Sequence, residues 1–225
     1  MPISLSYSLN DPLNCSNDLL LAQNLACERD DRCLYQHLNL TVQQGDLWHI
    51  KGVNGAGKTT LLRQLAGLHP VDEGQVICLP GTKVVYLGHK LGLKEQLTAD
   101  ENLQWLVSLD RPSTQSERYA ALEVVGLRGF EENLVLHLSA GQKRRVALAR
   151  LQLVEAQIWL LDEPFTSLDQ QGIADEEVWL AQHINKGGAV LMTSHQDLAS
   201  LPAKILDLSH CFSQQESQQE TLESC

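Results

Sequence analysis

Residues 52–59 read G-V-N-G-A-G-K-T, and residues of these types at this spacing can hold a phosphate. In the pattern G-x-x-x-x-G-K-[ST], Gly52, Gly55 and Gly57 let the chain curl so that successive N–H groups point inward. Val53, Asn54 and Ala56 fill the loop between them, and Thr60 leads out of it. Lys58 sets a point charge against the β- and γ-phosphates, and the Thr59 hydroxyl can ligate Mg²⁺. Average composition produces such a match about once in a hundred chains of this length. Further along, I-W-L-L-D-E (158–163) is an apolar run ending in two carboxylates. The tip of a buried strand is an unfavourable place for paired acids unless a cation or a reacting water is there. Asp162 fits the Mg²⁺ partner of Thr59, and Glu163 fits the group that polarises an attacking water. L-S-A-G-Q (138–142) puts Leu138, Ser139, Ala140, Gly141 and Gln142 at a helix start, a second surface for an anion. F-T-S-L-D (165–169) follows the carboxylates, and T-S-H (193–195) ends the next apolar run, where His195 could reach a γ-phosphate.

These groups need a frame. Strand-like runs occur at 19–26, 38–42, 47–50, 75–79, 83–87, 158–161, 189–193 and 204–208. Those at 84–87, 158–161 and 189–193 are almost wholly apolar, as central parallel strands are, while the earliest runs alternate and suit an antiparallel flank. Residues 59–68 form an amphipathic helix after the loop. From 97 to 155 the pattern turns helical. Thr98 with Glu101 opens one helix as a capping box, Ser113 caps a second that Gly126 ends, and Ser139 caps a third running to about Val154. The expectation is an α/β core holding a helical insertion. The core spans about 18–90 and 155–210, the insertion about 91–154, and polar tails occupy 1–17 and 211–225.

Composition narrows the partners. The net charge is −11 over 225 residues, which opposes nucleic acid as a partner. The six cysteines (15, 27, 33, 78, 211 and 225) show no C-x-x-C and no metal spacing, and read as reduced thiols of a cytosolic protein. No secretory leader opens the chain, and no run approaches the roughly 18 apolar residues of a membrane span.

In this order, the phosphate loop, L-S-x-G-Q, the D-E strand end, S-L-D and the late His resemble an ATP-binding-cassette ATPase over residues 18–208. That resemblance implies an α/β fold of ABC type: a mostly parallel RecA-like core sheet, an antiparallel β flank and an inserted helical subdomain. It implies ATP and Mg²⁺, and a nucleotide sandwiched between two copies of the chain. Ser139, Gly141 and Gln142 would then serve the partner copy's nucleotide, and Asp169 would lie at the dimer seam. A narrower resemblance rests on V-Y-L-G-H (85–89), L-T-A-D-E-N-L (97–103), residues 138–151, D-E-P-F-T-S-L-D-Q-Q-G (162–172) and T-S-H-Q-D-L (193–198). These look like the haem-exporter ATPases of bacterial cytochrome c maturation. They imply a membrane-spanning partner subunit contacted by K-L-G-L-K-E-Q-L after His89, and a place at the cytoplasmic face of the inner membrane.

Three positions depart from the general cassette pattern and agree with the narrower group. His89 stands where the family has a Gln that touches Mg²⁺ and water. Ala140 replaces a Gly. The aromatic that stacks on adenine is expected near 27–29, where the chain has Cys27, Glu28 and Arg29, with Tyr35 too far along. Arg29 is the stacking candidate there. Two other functions compete. A soluble cassette acting on nucleic acid or ribosomes would carry coiled coils, tandem cassettes or basic surface, which this chain lacks. A nucleotide-dependent scaffold would not need Lys58, Asp162, Glu163 and His195 together.

Overall fold

The computed structural model describes residues 17–29, 32–108, 110–196 and 201–209. The expected tails, including Cys15, Cys211 and Cys225, lie outside this range, apart from Asn17. The apolar runs Ile158–Asp162 (β6) and Ala189–Thr193 (β7) are buried at every residue because both of their faces are covered. With Val84–Leu87 (β5), Leu47–Lys51 (β3) and Lys204–Asp207 (β8) they make a parallel sheet in the order β5-β6-β7-β3-β8. Alternate residues face opposite cores, as the period of a strand requires. Ile158 and Leu160 point to the side of Leu61, Leu62 and Leu65, and Trp159 and Leu161 to the side of Val146, Leu148 and Leu151.

The earliest runs form the expected antiparallel flank. Asp18–Arg29 (β1) pairs with Arg32–Gln43 (β2) and with Glu73–Cys78 (β4), in the order β2-β1-β4. Leu19, Leu20, Ala22, Leu25 and Cys27 turn inward against Lys58–Leu65 (α1).

The helical insertion between β5 and β6 holds Ala99–Val107 (α2), Gln115–Val124 (α3) and Ala140–Leu153 (α4). Thr98 and Glu101 form the expected capping box. Thr114, not Ser113, caps α3: its hydroxyl accepts from Glu117 N while the Glu117 carboxylate accepts from Thr114 N. Ser113 instead offers its carbonyl to Arg118 Nη1 at 2.7 Å. Arg118 is buried and pairs with Asp100 at 2.7 Å, tying α3 to α2. Gln170–Asn185 (α5) follows β6. Among the described residues, no helix is long and apolar enough to cross a membrane.

Because β3, β5, β6 and β7 run parallel, the segments at 52–57, 88–89, 163 and 194–195 all leave the same edge of the sheet. In an open α/β sheet that edge is where ligands bind.

Candidate functional site

The loop after β3 curls back on itself. Gly57 has φ 89, and a Cβ there would lie 3.1 Å from both Leu34 Cβ and Tyr35 Cε1. Only glycine meets both the angle and the close approach. Lys58 Nζ donates to Gly52 O at 2.7 Å and to Val53 O at 3.2 Å, so the ammonium lies within the curl.

Asp162 ends β6 with 3% exposure, surrounded by hydroxyls. Thr59 Oγ1 donates to its two oxygens at 3.1 and 2.9 Å, and Thr193 Oγ1 donates at 2.8 Å. The Tyr86 hydroxyl stands 3.4 Å away, and burial, followed by the Asp162 charge, pushes that phenol up to about 12, so it remains a donor. Thr193 Oγ1 also accepts from Glu163 N at 3.0 Å. Glu163 has φ 53, a left-handed backbone that costs a non-glycine residue about 1–3 kcal/mol and persists only where its surroundings fix it. Its carboxylate reaches Oε1 to within 3.6 Å of His195 Nε2.

One cleft of about 780 Å³ gathers these groups: Asn54, Gly55, Gly57, Lys58, Thr59, Thr60, His89, Asp162, Glu163 and His195 line it. Three expected loop residues do not. Val53 is exposed, Ala56 is buried beneath the loop, and Gly52 lines an adjoining recess with Ser194 and His195. Arg29, Arg32 and Leu34 complete the wall, with Leu34 against Gly57, while Tyr35 donates its hydroxyl to Gln64 Oε1.

A second, separate cleft is lined by Ser139, Gly141 and Gln142 with Arg145, Ser167 and Asp169. Ser139 Oγ accepts from Gln142 N at 3.2 Å, and Gln142 Oε1 accepts from Ser139 N at 2.9 Å. Asp169 caps α5 through Gly172 N at 2.9 Å and takes Arg145 Nη2 at 3.3 Å. Leu138 is buried in the core, and Ala140 leaves its methyl exposed. The two clefts share no lining residue, so one copy of the chain does not bring the phosphate loop and the L-S-A-G-Q segment together.

Residues 35–166 match the family model described as ABC transporter. The chain is 47% identical over 201 residues to the cytochrome c biogenesis ATP-binding export protein CcmA of Pseudomonas putida, across 84% of this chain and 95% of that one. The chain belongs to the ABC transporter family. The CcmA of Yersinia pseudotuberculosis is 44% identical over 209 residues, across 88% and 96% of the two chains. A solved Pyrococcus furiosus structure, named as an ABC transporter ATP-binding protein, aligns with TM-score 0.73 at 25% identity, across 84% and 96% of the chains. A dimeric ATP-binding cassette bound to ADP and Pi shares the fold at TM-score 0.69 and 23% identity, across 79% and 88%. As an ABC cassette the chain is an ATP hydrolase with an α/β fold.

The cassette contains groups that the sequence reading passed over. Tyr86 and Thr193 surround Asp162, Arg32 and Leu34 join Arg29 in the cleft wall, and Arg144 is buried at 3% exposure behind the carboxylates. Glu176 of α5 lies close by, 1% exposed, with neither carboxylate oxygen hydrogen-bonded. Burial pushes its carboxyl up to about 8, against the downward pull of Arg144. A raised folded pKa means that the folded chain holds a proton the unfolded chain releases above about 4.5. The associated stability is full below that pH, falls as pH rises, and is gone above about 8. Glu176→Gln should therefore gain on the parent between pH 5 and 8, by at most about 1.4 kcal/mol per unit. Thermal unfolding followed across that range checks it; a gap that stays constant with pH contradicts the assignment.

Proposed function

We propose that the chain is the ATP-hydrolysing subunit of an ABC transporter complex in c-type cytochrome biogenesis. A separate membrane-spanning subunit holds it at the cytoplasmic face of the bacterial inner membrane. The observation that carries this reading is the 47% identity to the Pseudomonas putida export protein along 95% of its length. The step driven is haem export or release of a haem chaperone, and contact with the cargo falls to the membrane subunit.

The residues divide the work. Residues 52–60 wrap the phosphates, with Lys58 as the charge on the β/γ oxygens. Thr59 and Asp162 bring a hydroxyl and a carboxylate together, and no cluster of three or more His, Cys, Asp or Glu side chains forms a cage among the described residues. That donor set suits Mg²⁺, which keeps its waters, takes phosphate oxygens and neutralises their charge. Glu163 polarises the attacking water, with His195 at the γ-phosphate and His89 at the water's other side. Ser139, Gly141 and Gln142 close the site of a second copy, and Asp169 lies at the seam between the two.

Deleting the gene should abolish assembled c-type cytochromes, and the tagged chain should co-purify with a polytopic membrane protein. Normal cytochromes, or RNA in place of the membrane protein, would overturn the reading.

Lys58 and Ser139 are assigned to different nucleotides, so one copy cannot complete a site. ATPase activity of the isolated chain should rise faster than linearly with protein concentration. Strict proportionality well below the dimerisation constant argues against shared sites.

A further inference from the structure

We propose that Arg144 is a positioning residue that ties the helix presenting L-S-A-G-Q to the backbone turn carrying Glu163 and to the His89 segment of the same chain. This rests on the role given to Glu163 above. Arg144 sits on α4, one turn beyond the Ser139 cap, and its guanidinium turns inward. Nε donates to Pro164 O at 2.8 Å, and Nη1 donates to Gly88 O at 3.4 Å. Nη2 donates to Asp162 O at 3.2 Å and to Glu163 O.

Gly88 lies just past β5, next to His89, and Glu163 and Pro164 lie just past β6, of which Asp162 is the last residue. Glu163 O also accepts from Thr166 N at 3.3 Å. A buried carbonyl without a partner is costly, and a planar guanidinium can serve several at fixed angles. The bond to Glu163 O acts where the backbone takes its left-handed turn, with Thr193 holding the N–H side of the same residue. Glu163 is thereby held from both sides. Burial pulls the Arg144 pKa down, and the negative charges of Asp162 and Glu163 act against that pull.

Arg145, the next residue, reaches Asp169 beside the L-S-A-G-Q cleft, while Arg144 reaches the carboxylate turn of the phosphate cleft. A displacement of α4 when a second copy engages its N-terminus would pass through Arg144 to Glu163 and His89.

Arg144→Lys and Arg144→Gln test this in the full chain with its membrane subunit. A lysine keeps the charge but cannot span the fork of carbonyls. Expected is a fall in kcat of about 10- to 100-fold for both variants, with KM for ATP within about threefold, because a displacement of about 1 Å at a reacting group has that effect. In the Glu163→Gln background the same substitutions should slow hydrolysis by much less than in the parent, the remainder being what passes through the His89 segment. An unchanged kcat in Arg144→Lys overturns the proposal, as does a full additional loss in the double variant. If neither variant folds, Arg144 is only a structural brace and the proposal fails. If Glu163→Gln alone hydrolyses ATP normally, the role of Glu163 has failed, and that is read before any Arg144 variant.

Discussion

Lys58→Ala is expected to remove useful ATP binding and turnover. In the structure the ammonium donates to Gly52 O and Val53 O, carbonyls of its own loop. Their bonds to it are exchangeable, and a triphosphate offers the ammonium stronger, charge-assisted partners. The rest of the loop offers N–H dipoles but no other cation. Arg29 and Arg32 also line the cleft, but they come from β1 and β2 and not from the loop. The expected loss is about 3–4 kcal/mol of transition-state stabilisation, or roughly 10²- to 10³-fold in rate. Titration with a fluorescent ATP analogue and the ATPase rate with the membrane subunit present measure it. Helix content should not change, because Lys58 is only part-buried and both bonds given by its ammonium stay within its own loop. Near-normal turnover would reject the assignment of the loop.

What the sequence discloses depends on how local the determinant is. The phosphate loop is legible because its chemistry and its backbone curl lie within eight consecutive residues. The runs at 158–161 and 189–193 are legible because burial on both faces leaves no polar position. The β1–β2 hairpin is longer than its apolar runs, because Arg32 and Cys33 continue the ladder at its less buried end. The cap of α3 was readable. Ser113 has Ser116 three residues on, whereas Thr114 has Glu117, and only the second pair makes a capping box. Arg144 was harder to find because it stands in the run K-R-R. Yet it shares a helical face with Leu148 and Leu151, both buried, so periodicity already placed it inward. The strand order β5-β6-β7-β3-β8 has no local signature, since it depends on which apolar strands find one another in three dimensions. The surroundings of Asp162 combine Thr59, Tyr86 and Thr193, residues 103, 76 and 31 positions away, so no spacing rule could assemble them.

Glu163→Gln is expected to keep ATP binding and nearly stop hydrolysis. The amide matches the carboxylate in shape but lacks its charge and basicity, and a positioned base contributes about 10²- to 10⁴-fold. The change should leave the backbone turn intact, because Glu163 is held through its N–H by Thr193 and through its carbonyl by Arg144. The His195 ring at 3.6 Å loses an anionic neighbour but remains exposed at 68%, free to meet a phosphate. With hydrolysis slowed, ATP should persist between the phosphate cleft of one copy and the L-S-A-G-Q cleft of another. Size-exclusion chromatography in Mg-ATP should then show a dimer that reverts to monomer when nucleotide is removed. Adding Lys58→Ala to the same chain should abolish that dimer, because the trapped nucleotide is what joins the copies. A Glu163→Gln chain that stays monomeric and hydrolyses ATP at the parental rate contradicts both the role of the carboxylate and the shared site. A dimer with full hydrolysis would keep the sandwich but move the base elsewhere, and His195 and His89 are then the remaining groups in the cleft to substitute.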